Sequence, residues 1–472
     1  MKGYLSRFRL DYVRVLIYML QATEYRAWEF VKWCHRTKDF GKVMHRRVLV
    51  WTKKARLLYA ATAGLQVAIF ITVAILVFWQ TNGIALVLIG LFLLMLMPIL
   101  LEFLLVLVLA IGDLLVMRPI ARRKIAAAKE KLAGMKAVKI AVVGSYGKTT
   151  TKEVLKDILA SGRNVKATPG NMNQPLSIAE FIMSLSGEEE ILIFEMGEYF
   201  VGDVRKMCEM VRPNYGVITG LSEAHLVNFK TLENIKKTFD EIRDFVPSER
   251  LFINGDNAIL AGEKGVVYSR AGIFDYKVSG VKLAPFGTTF VVEKAGHELK
   301  IKTALLGEHN IGVVVLGLYL AKKFDIKPDV VKKAVLELKP FEHRLEPKKV
   351  NGAVVIDDTY NGNLEGIKAG LKLLKSLDGQ RKIYVTPGLV EQGKKTAEVH
   401  QEIGREIGLV ASEVVLMNNS TTSFIKKGLD EVGFAGEVKV FDDPLLFYEN
   451  LPQYVASGDV VLMQNDWTDN YA

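Results

Sequence analysis

The clearest pattern along the chain is a pair of long apolar stretches near its beginning. Residues 57–79 contain no charged side chain, and residues 84–117 are apolar apart from Pro98, Glu102 and Asp113. Because a helix of about 20 apolar residues spans the hydrocarbon core of a bilayer, each stretch is long enough to cross a membrane. The pattern predicts a transmembrane helical hairpin over 57–117. A buried helical pair in a soluble core is the alternative.

Short apolar runs and amphipathic segments alternate in the remainder of the chain, as they do in α/β proteins. Residues 118–138 are rich in strong helix formers and predict a helical connector. The alternation begins at 139 with the segments KIAVVG, TTTKEVLKDILAS, EILIFEMG and NYGVITGL, and a second series begins with AVVIDDTYN. We therefore expect an α/β fold: a central, mostly parallel α/β domain over 139–340 and a smaller C-terminal α/β domain over 341–472.

The net positive charge of the chain comes from its N-terminal segment. The whole chain carries +10, and residues 1–56 alone contain 14 basic and 4 acidic residues. The rest is therefore neutral, which disfavours nucleic acid as a partner and favours contact of the basic segment with an anionic membrane surface. We expect residues 1–56 to form a basic amphipathic cytosolic segment on the inner leaflet, with a helix packed on the soluble body as the alternative.

Basic residues also flank the predicted hairpin, at Lys53, Lys54 and Arg56 before it and at Arg118 and Arg122 after it. The positive-inside rule places both flanks in the cytosol, so the catalytic domains are expected at the cytosolic face of the cell membrane. The two cysteines of the chain are too few for a disulfide framework and fit a reducing compartment.

A glycine-rich heptapeptide, Gly-Ser-Tyr-Gly-Lys-Thr-Thr, lies between a predicted strand and a predicted helix. Gly144 and Gly147 allow backbone N–H groups to face phosphate oxygens, and Lys148 adds a positive charge. The hydroxyl group of Thr149 or Thr150 can bind Mg²⁺. The heptapeptide therefore predicts a site for a nucleotide phosphate.

The loop GSYGKTTTKE resembles the ATP loop of the Mur ligase family, in particular its MurF branch; Val142 stands where the strict Walker A pattern has glycine. Further segments over 139–472 follow in the family's order and at about its spacing: TPGNMNQPLS (168–177), FEMGEYFVGDV (194–204), VRPNYGVITGLSEAHLVNF (211–229), INGDNA (253–258), LLGEHNIGVVVLGLYLA (305–321), HRLE (343–346) and VVIDDTYNGNLEG (354–366). The resemblance implies an ATP- and magnesium-dependent amide ligase of peptidoglycan precursor synthesis. Such an enzyme activates a peptide carboxylate as an acyl phosphate and joins it to the amine of a D-Ala-D-Ala-like dipeptide.

The resemblance assigns the ATP and magnesium roles to particular residues. Lys148 would contact the outer phosphates, while Thr149, Glu195 and His225 would hold magnesium. A carboxylate suits this hard cation better than imidazole does, so His225 is the weaker ligand. Without its neighbours Ala224 and Leu226, which match the family, a structural role for His225 would be preferred.

Further residues are assigned to the two substrates in the same way. Asn310 would contact the adenine side of ATP, although its place at the start of a predicted helix also fits simple N-capping. Arg344 and Asp358 of the C-terminal domain would close over the phosphate and the ribose. Asn171 and Asn173 would line the site of the acyl substrate.

The chain departs from the family pattern at two places. Phe239 stands where many members carry a carbamylated lysine, so Lys236 or Lys237 substitutes, Asp240 supplies the carboxylate, or the second magnesium site is altered. The N-terminal segment and hairpin also replace the family's domain for uridine diphosphate. The acyl substrate is therefore either a UDP-linked peptide or a lipid-linked one, and the amine donor either a dipeptide or another amino acid. A non-catalytic ATP-binding membrane scaffold is the remaining alternative, supported by Phe239.

Overall fold

The computed structural model describes residues 2–9, 11–23, 25–37, 39–42, 49–78, 84–198, 200–222, 229, 231–360, 362–390 and 392–465. These fall into two compact units, 1–123 and 124–472, each of which is described by itself.

The first unit is helical. Its α-helices span Lys2–Leu5, Tyr12–Ala22, Ala27–Arg36, Lys53–Phe78 and Ile84–Gly112, and a π-helical turn at Asp113–Met117 leads into the helix Arg118–Ala133. By length and composition, Lys53–Phe78 and the continuous helical stretch 84–133 qualify as membrane spans. Within their most apolar windows only 11% and 22% of the residues are buried, which is little for core helices of a soluble domain.

The helix Tyr12–Ala22 is buried on nearly all sides, and this differs from the expectation for residues 1–56. It shares one hydrophobic cluster with side chains of the two long helices, such as Leu58 and Leu101. Near one end of this cluster, Glu102 accepts hydrogen bonds from Arg7 (2.8 Å) and from the hydroxyl group of Tyr12 (2.5 Å). The helix therefore packs on the apolar helices of its own unit.

The second unit contains a ten-stranded sheet in the order β10-β9-β8-β7-β6-β5-β4-β1-β3-β2. Strands β1 to β6 pair in parallel and β7 to β10 extend the sheet as antiparallel hairpins. The strands are β1 Val138–Val143, β2 Val165–Ala167, β3 Ile191–Glu195, β4 Tyr215–Ile218, β5 Leu251–Asn254, β6 Val266–Ser269, β7 Gly272–Ile273, β8 Tyr276–Ala284, β9 Gly287–Lys294 and β10 His297–Thr303.

Helices cover both faces of the parallel part of this sheet. Because successive side chains of a strand point to opposite faces, Ile140 and Val142 of β1 join one hydrophobic cluster, and Ala141 and Val143 join the other. The first cluster is covered by the helices Lys148–Leu159, His309–Lys323 and Pro328–Glu337, and the second by Pro175–Ser184, Asp203–Val211, Leu232–Asp240 and the end of Arg118–Ala133. The expected parallel α/β core is confirmed.

The C-terminal part has a six-stranded sheet in the order β11-β12-β16-β13-β14-β15, parallel except for β11. Its strands are β11 Glu346–Val350, β12 Ala353–Asp358, β13 Lys382–Thr386, β14 Glu413–Met417, β15 Glu437–Phe441 and β16 Val460–Gln464. Its helices are Leu364–Ser376, Thr396–Gly408, Thr422–Glu431 and Pro444–Tyr454. In open parallel sheets ligands bind beyond the carboxyl ends of the strands, and Glu195 and Asp358 are the last residues of β3 and β12.

Candidate active site

The glycine-rich loop follows β1 and ends at the helix Lys148–Leu159, as its sequence predicts. Gly144 (φ +143°) and Gly147 (φ +76°) adopt backbone conformations that other residues rarely take, and a Cβ atom on Gly144 would lie 2.2 Å from the hydroxyl oxygen of Thr219. That hydroxyl group donates hydrogen bonds to the carbonyls of Val143 and Tyr146. The end of β4 thus fixes the loop at the N-terminus of the helix, where backbone N–H groups favour an anion.

Lys148 is engaged by the protein itself. Its ammonium group donates to the Gly144 carbonyl and lies 3.2 Å from Oε2 and 3.3 Å from Oε1 of Glu198. Only 14% of the Lys148 side chain and 3% of the Glu198 side chain is exposed. The lysine expected to bind phosphate therefore forms a largely buried ion pair with Glu198. Glu198 was not among the site residues expected from the sequence.

Glu195, the last residue of β3, faces the same crevice. Its Oε1 atom accepts a hydrogen bond from Asn173 Nδ2 (3.1 Å). Its Oε2 atom is buried and lies 3.3 Å from Lys152 Nζ, but it accepts no hydrogen bond within the described residues. A buried carboxylate oxygen without a hydrogen-bond donor fits a hard divalent cation, so the residues present are compatible with magnesium.

Lys152 is a further charged residue of this crevice, and it was not among the residues expected there from the sequence. It is fully buried one turn into the helix after the loop, and its ammonium group donates to the carbonyls of Thr168 (2.7 Å) and Gly170 (2.6 Å). It also lies 3.2 Å from Glu153 Oε1, in addition to Glu195. The sequence signal for Lys152 is its spacing, three residues before Leu155 and seven before Leu159, which places a charge on the apolar face of the helix but does not show its partners. Lys152 ties Glu195 and the loop of Asn171 and Asn173 to the phosphate-loop helix.

The two asparagines of that loop have different surroundings. Asn173 accepts a hydrogen bond at its backbone carbonyl from the N–H of Gly197 (2.7 Å), and a Cβ atom on Gly197 would lie 2.7 Å from the Asn173 side chain. This close approach holds Asn173 against Glu195. Asn171 is exposed on the same loop.

Arg344 brings the C-terminal domain to the phosphate loop. Its Nη2 atom donates to the hydroxyl group of Thr149 (3.3 Å), and its guanidinium carbon lies 4.2 Å from the ring centroid of Tyr360. Burial lowers the pKa of Arg344, while the neighbouring Tyr360 and Glu195 oppose that shift. Thr149, the expected magnesium ligand, and Arg344, the expected phosphate contact, are therefore adjacent.

Asp358 lies at the end of β12 with both carboxylate oxygens hydrogen-bonded to the protein. The backbone N–H of Leu345 donates to Oδ1 (3.2 Å), and Gln464 Nε2 donates to Oδ2 (2.7 Å). Burial raises the pKa of Asp358 to about 7. His343 and Leu345 both have positive φ angles, of 58° and 46°. Asp358 therefore holds the strained loop that carries Arg344, and its contact with the ribose stays a prediction.

Asn310 is buried near the start of the helix His309–Lys323, and its side chain donates to the carbonyl of Leu306 (2.7 Å). The N-cap position belongs to Glu308, so the N-capping alternative for Asn310 is wrong. A side-chain amide held beside Gly307 is compatible with the expected adenine contact.

The residues considered as replacements for a carbamylated lysine all have other partners. Phe239 is buried in the hydrophobic core, Lys236 pairs with Glu263, Lys237 pairs with Glu233, and Asp240 pairs with Arg243. His225, Ala224 and Leu226 lie outside the described residues.

Known protein families match the two parts of the chain that contain these site residues. The family model described as "Mur ligase middle domain" matches 142–320, and the one described as "Mur ligase, glutamate ligase domain" matches 343–464. The chain is similar to the UDP-N-acetylmuramoyl-tripeptide–D-alanyl-D-alanine ligases of Bacillus subtilis (26% identity; 69% of this chain, 72% of that protein) and Haemophilus influenzae (26%; 66% and 70%).

Two solved structures have a similar fold. The MurF ligase of Thermotoga maritima in complex with ADP is 25% identical, with a TM-score of 0.65 over 73% of this chain and 80% of that chain. MurF of Acinetobacter baumannii is 22% identical, with a TM-score of 0.64 over 74% and 77% of the two chains.

Proposed function

Because the chain belongs to the Mur ligase family, we propose that it is an ATP-dependent ligase that adds a D-alanyl-D-alanine-like dipeptide to the peptide of a cell-wall precursor. The observation that carries the proposal is the meeting of Lys148, Thr149, Glu195 and Arg344 around one phosphate loop. The named activity of the relatives supports the choice of substrates.

The proposed reaction has two steps. A carboxylate oxygen of the precursor attacks the γ-phosphorus of ATP, and ADP leaves, which gives an acyl phosphate. The amine of the dipeptide then attacks the acyl carbon, an amide bond forms, and phosphate leaves with the former carboxylate oxygen while the amine loses its protons. Both steps depend on positioning and on charge stabilisation rather than on a side-chain nucleophile.

The residues of the chain supply that positioning. Lys148 and the N–H groups at the helix N-terminus bind the outer phosphates, and Arg344 contacts them from the C-terminal domain. Thr149 and Glu195 would hold magnesium, with His225 as a further proposed ligand. The metal, when bound, neutralises charge that develops on the phosphate oxygens. Asn173, fixed on Glu195, lines the place where the carboxylate of the acyl substrate would meet the γ-phosphate.

The contact between Arg344 and Thr149 supports closure of the C-terminal domain over ATP. In this proposal Asn310 lies on the adenine side, and Asp358 contacts the ribose while it holds the Arg344 loop. We further propose that the unit 1–123 anchors the enzyme in the membrane through 57–117, with its basic residues on anionic lipids and the α/β domains in the cytosol.

Phosphate release by the detergent-purified chain tests this function. We expect release from ATP only when UDP-linked muramoyl tripeptide and D-alanyl-D-alanine are both present, with a product heavier by the dipeptide. Lys148→Ala serves as the blank, and Lys156→Ala, which changes a half-buried lysine of the same helix paired with Glu153, serves as the matched control. Phosphate release when one of the two substrates is missing would contradict the proposal. Phosphate release with both substrates but without a heavier product would also contradict it.

A lipid-linked acyl substrate is a second candidate because of the two apolar helices. Presenting UDP-linked and lipid-linked forms of the same peptide to the full chain in nanodiscs separates the candidates. A higher kcat/KM on the lipid-linked form favours the second candidate, whereas a higher kcat/KM on the UDP-linked form favours the first.

A further inference from the structure

Three successive residues of the central domain contact the C-terminal domain close to the expected adenine site. Leu306 is buried and shares one hydrophobic cluster with Leu345 of the C-terminal domain. A Cβ atom on Gly307 would lie 3.3 Å from Cδ1 of Leu345. The third residue, Glu308, forms an ion pair with Lys372 of the C-terminal domain. The two domains therefore meet here through apolar packing and through opposite charges.

Glu308 binds one cation from each domain at a single carboxylate oxygen. Its Oε2 atom accepts hydrogen bonds from Lys372 Nζ (2.6 Å) and from Arg270 Nη1 of the central domain (2.8 Å). The hydrogen bond from Lys372 lowers the pKa of Glu308, and Arg270 acts in the same direction while burial opposes the shift. Arg270 is itself held in the central domain, because its backbone N–H donates to Asp256 Oδ2 (2.7 Å). Lys372 is therefore the partner of Glu308 that connects the two domains.

These contacts involve residues next to both ends of the proposed nucleotide site. The side chain of Asn310, expected on the adenine side, donates to the carbonyl of Leu306 (2.7 Å), and Glu308 is the N-cap residue of the helix that contains Asn310. Leu345 directly follows Arg344, which contacts the phosphate-binding helix. A change in how the domains meet at Glu308 is therefore expected to affect nucleotide binding.

We propose that Lys372 is a positioning residue for the nucleotide, and that its ion pair with Glu308 holds the C-terminal domain closed on the adenine side. This inference rests on the proposed function for the use of ATP. In the closed arrangement Arg344 contacts Thr149 at the phosphate end. Loss of the ion pair lowers the fraction of closed molecules, and the apparent dissociation constant of the nucleotide rises in proportion. Because the side chains of Lys372 and Glu308 are 55% and 28% exposed, salt weakens their attraction.

A double-mutant cycle on ADP affinity tests the ion pair. The dissociation constant of ADP is determined by calorimetry at low ionic strength for the full chain, for Lys372→Met, for Glu308→Gln and for the double variant. Lys372→Met should weaken ADP binding by about threefold in the wild-type background, which is the size expected for a partly exposed pair. In the Glu308→Gln background the same substitution should have no effect, because the carboxylate is already lost.

The matched control is Lys368→Met. Lys368 lies one turn before Lys372 in the same helix, and it pairs with Glu402 inside the C-terminal domain (2.6 Å). Its replacement should leave the affinity for ADP unchanged. In about 0.5 M NaCl the difference between Lys372→Met and wild type should also disappear, because the attraction between the two charges is screened.

A distance between the two domains provides a readout that needs no nucleotide. Nitroxide labels are attached at Lys332→Cys in the central domain and at Lys426→Cys in the C-terminal domain, both exposed positions, while Cys34 and Cys208 are buried. Pulsed electron paramagnetic resonance then measures the distribution of label distances. Lys372→Met should broaden this distribution by an additional population, and Lys368→Met should leave it as in wild type.

Equal effects of Lys372→Met on ADP affinity in the wild-type and Glu308→Gln backgrounds would overturn the inference. A distance distribution that Lys372→Met leaves unchanged would also overturn it. Neither measurement requires an acyl substrate or a dipeptide. The expected ADP and distance results in a chain that forms no amide would therefore reject the proposed function and leave the inference standing. Amide formation by a chain in which Lys372→Met changes neither readout would do the reverse.

Discussion

Carboxylates lie close to lysines in two regions of the molecule, at the phosphate-loop edge of the central domain and in a group of the C-terminal domain. The two regions differ in whether a carboxylate oxygen is left without a hydrogen-bond donor. In the C-terminal group, the potential ligand atoms of His343, Glu346 and Asp357 lie within 4.8 Å of one another. Lys348 Nζ lies 3.0 Å from Glu346 Oε2 and 2.9 Å from Asp357 Oδ2. A lysine already stands where a metal ion would be placed.

Asp357 accepts further hydrogen bonds, from the Thr359 hydroxyl group (2.7 Å) and in the contact with His343 Nδ1 (2.9 Å). Glu195 at the phosphate-loop edge instead has one oxygen without a donor among the described residues. Proximity of acidic groups therefore does not identify a metal site by itself. The hydrogen bonds that the carboxylates already accept distinguish the structural group from the proposed catalytic one.

The largest expected difference between the two regions is the loss of activity when a lysine is replaced by alanine. Lys148→Ala should lower phosphate release by at least about 10³-fold, because the variant lacks a charge at the transferring phosphoryl group. Lys348→Ala should lower it by less than about tenfold, since that lysine only neutralises Glu346 and Asp357. Steady-state release with both substrates measures the two effects, and similar losses in both variants would remove the distinction.

A second comparison concerns the carboxylates. Glu195→Gln should reduce kcat by about 100-fold, since it removes the charge facing the metal. It should also lower the melting temperature, because the buried Lys152 loses a charged partner. Asp357→Asn should keep kcat within about tenfold but lower the unfolding free energy by about 1–3 kcal/mol, because its hydrogen-bonding partners lose a charged acceptor. Kinetics and thermal melts of both variants check this. A kinetic defect that is larger in Asp357→Asn would place the catalytic carboxylate in the other region.

The link between the two regions is Arg344, and its replacement should have an intermediate effect. Arg344→Lys keeps the charge but loses the planar guanidinium that contacts Thr149 and Tyr360, so kcat should fall by about tenfold. Arg405→Lys, which changes an exposed pair with Glu431, should have no effect on kcat. An unchanged kcat in Arg344→Lys would show that closure of the C-terminal domain does not depend on this contact.

The smallest expected effect is on the pH dependence of stability, to which the adjacent residues Asp357 and Asp358 should contribute in opposite directions. The pKa of Asp358 is raised to about 7 by burial, so its protonated form favours the fold, and this contribution is lost as pH rises from about 4 through 7. Burial also acts to raise the pKa of Asp357, but hydrogen bonds from Thr359, Lys348 and His343 lower it overall. The contribution of Asp357 is present above its unfolded pKa and is lost as pH falls into the acid range.

Melting temperatures of the detergent-solubilised chain check this prediction. Relative to wild type, Asp358→Asn should become more stable as pH rises from 4 to 8, and Asp357→Asn should become less stable. A parallel pH response of the two variants would contradict the assignment of opposite shifts.

The phosphate loop, Glu195 and the parallel core could be predicted from the sequence because each depends on a local pattern. The phosphate loop needs only features that are neighbours along the chain: a buried strand, the glycines at 144 and 147, and the following helix. The sites of Lys152 and Glu198 could not be predicted in this way. Lys152 reaches Thr168 and Gly170, and Glu198 reaches back 50 residues to Lys148, so both depend on how strands β1 and β3 pair.

The N-terminal unit shows a second limit. The segment around Tyr12–Ala22 combines apolar and basic residues, which is typical of a surface helix at a membrane. Its burial depends on partners in Lys53–Phe78 and Ile84–Gly112, and sequence periodicity does not report such partners. The N-capping alternative for Asn310 failed for a similar reason, because the helix begins at His309, two residues earlier than an N-cap at Asn310 requires.

The central claim is that ATP activates a substrate carboxylate at the edge formed by Lys148, Thr149 and Glu195. Its most direct test is a single-turnover reaction of the full chain with ATP, D-alanyl-D-alanine and UDP-linked muramoyl tripeptide whose terminal carboxylate carries ¹⁸O at both oxygens. An acyl phosphate requires one ¹⁸O atom to appear in the released phosphate for each amide formed. Amide formation with unlabelled phosphate would contradict the account.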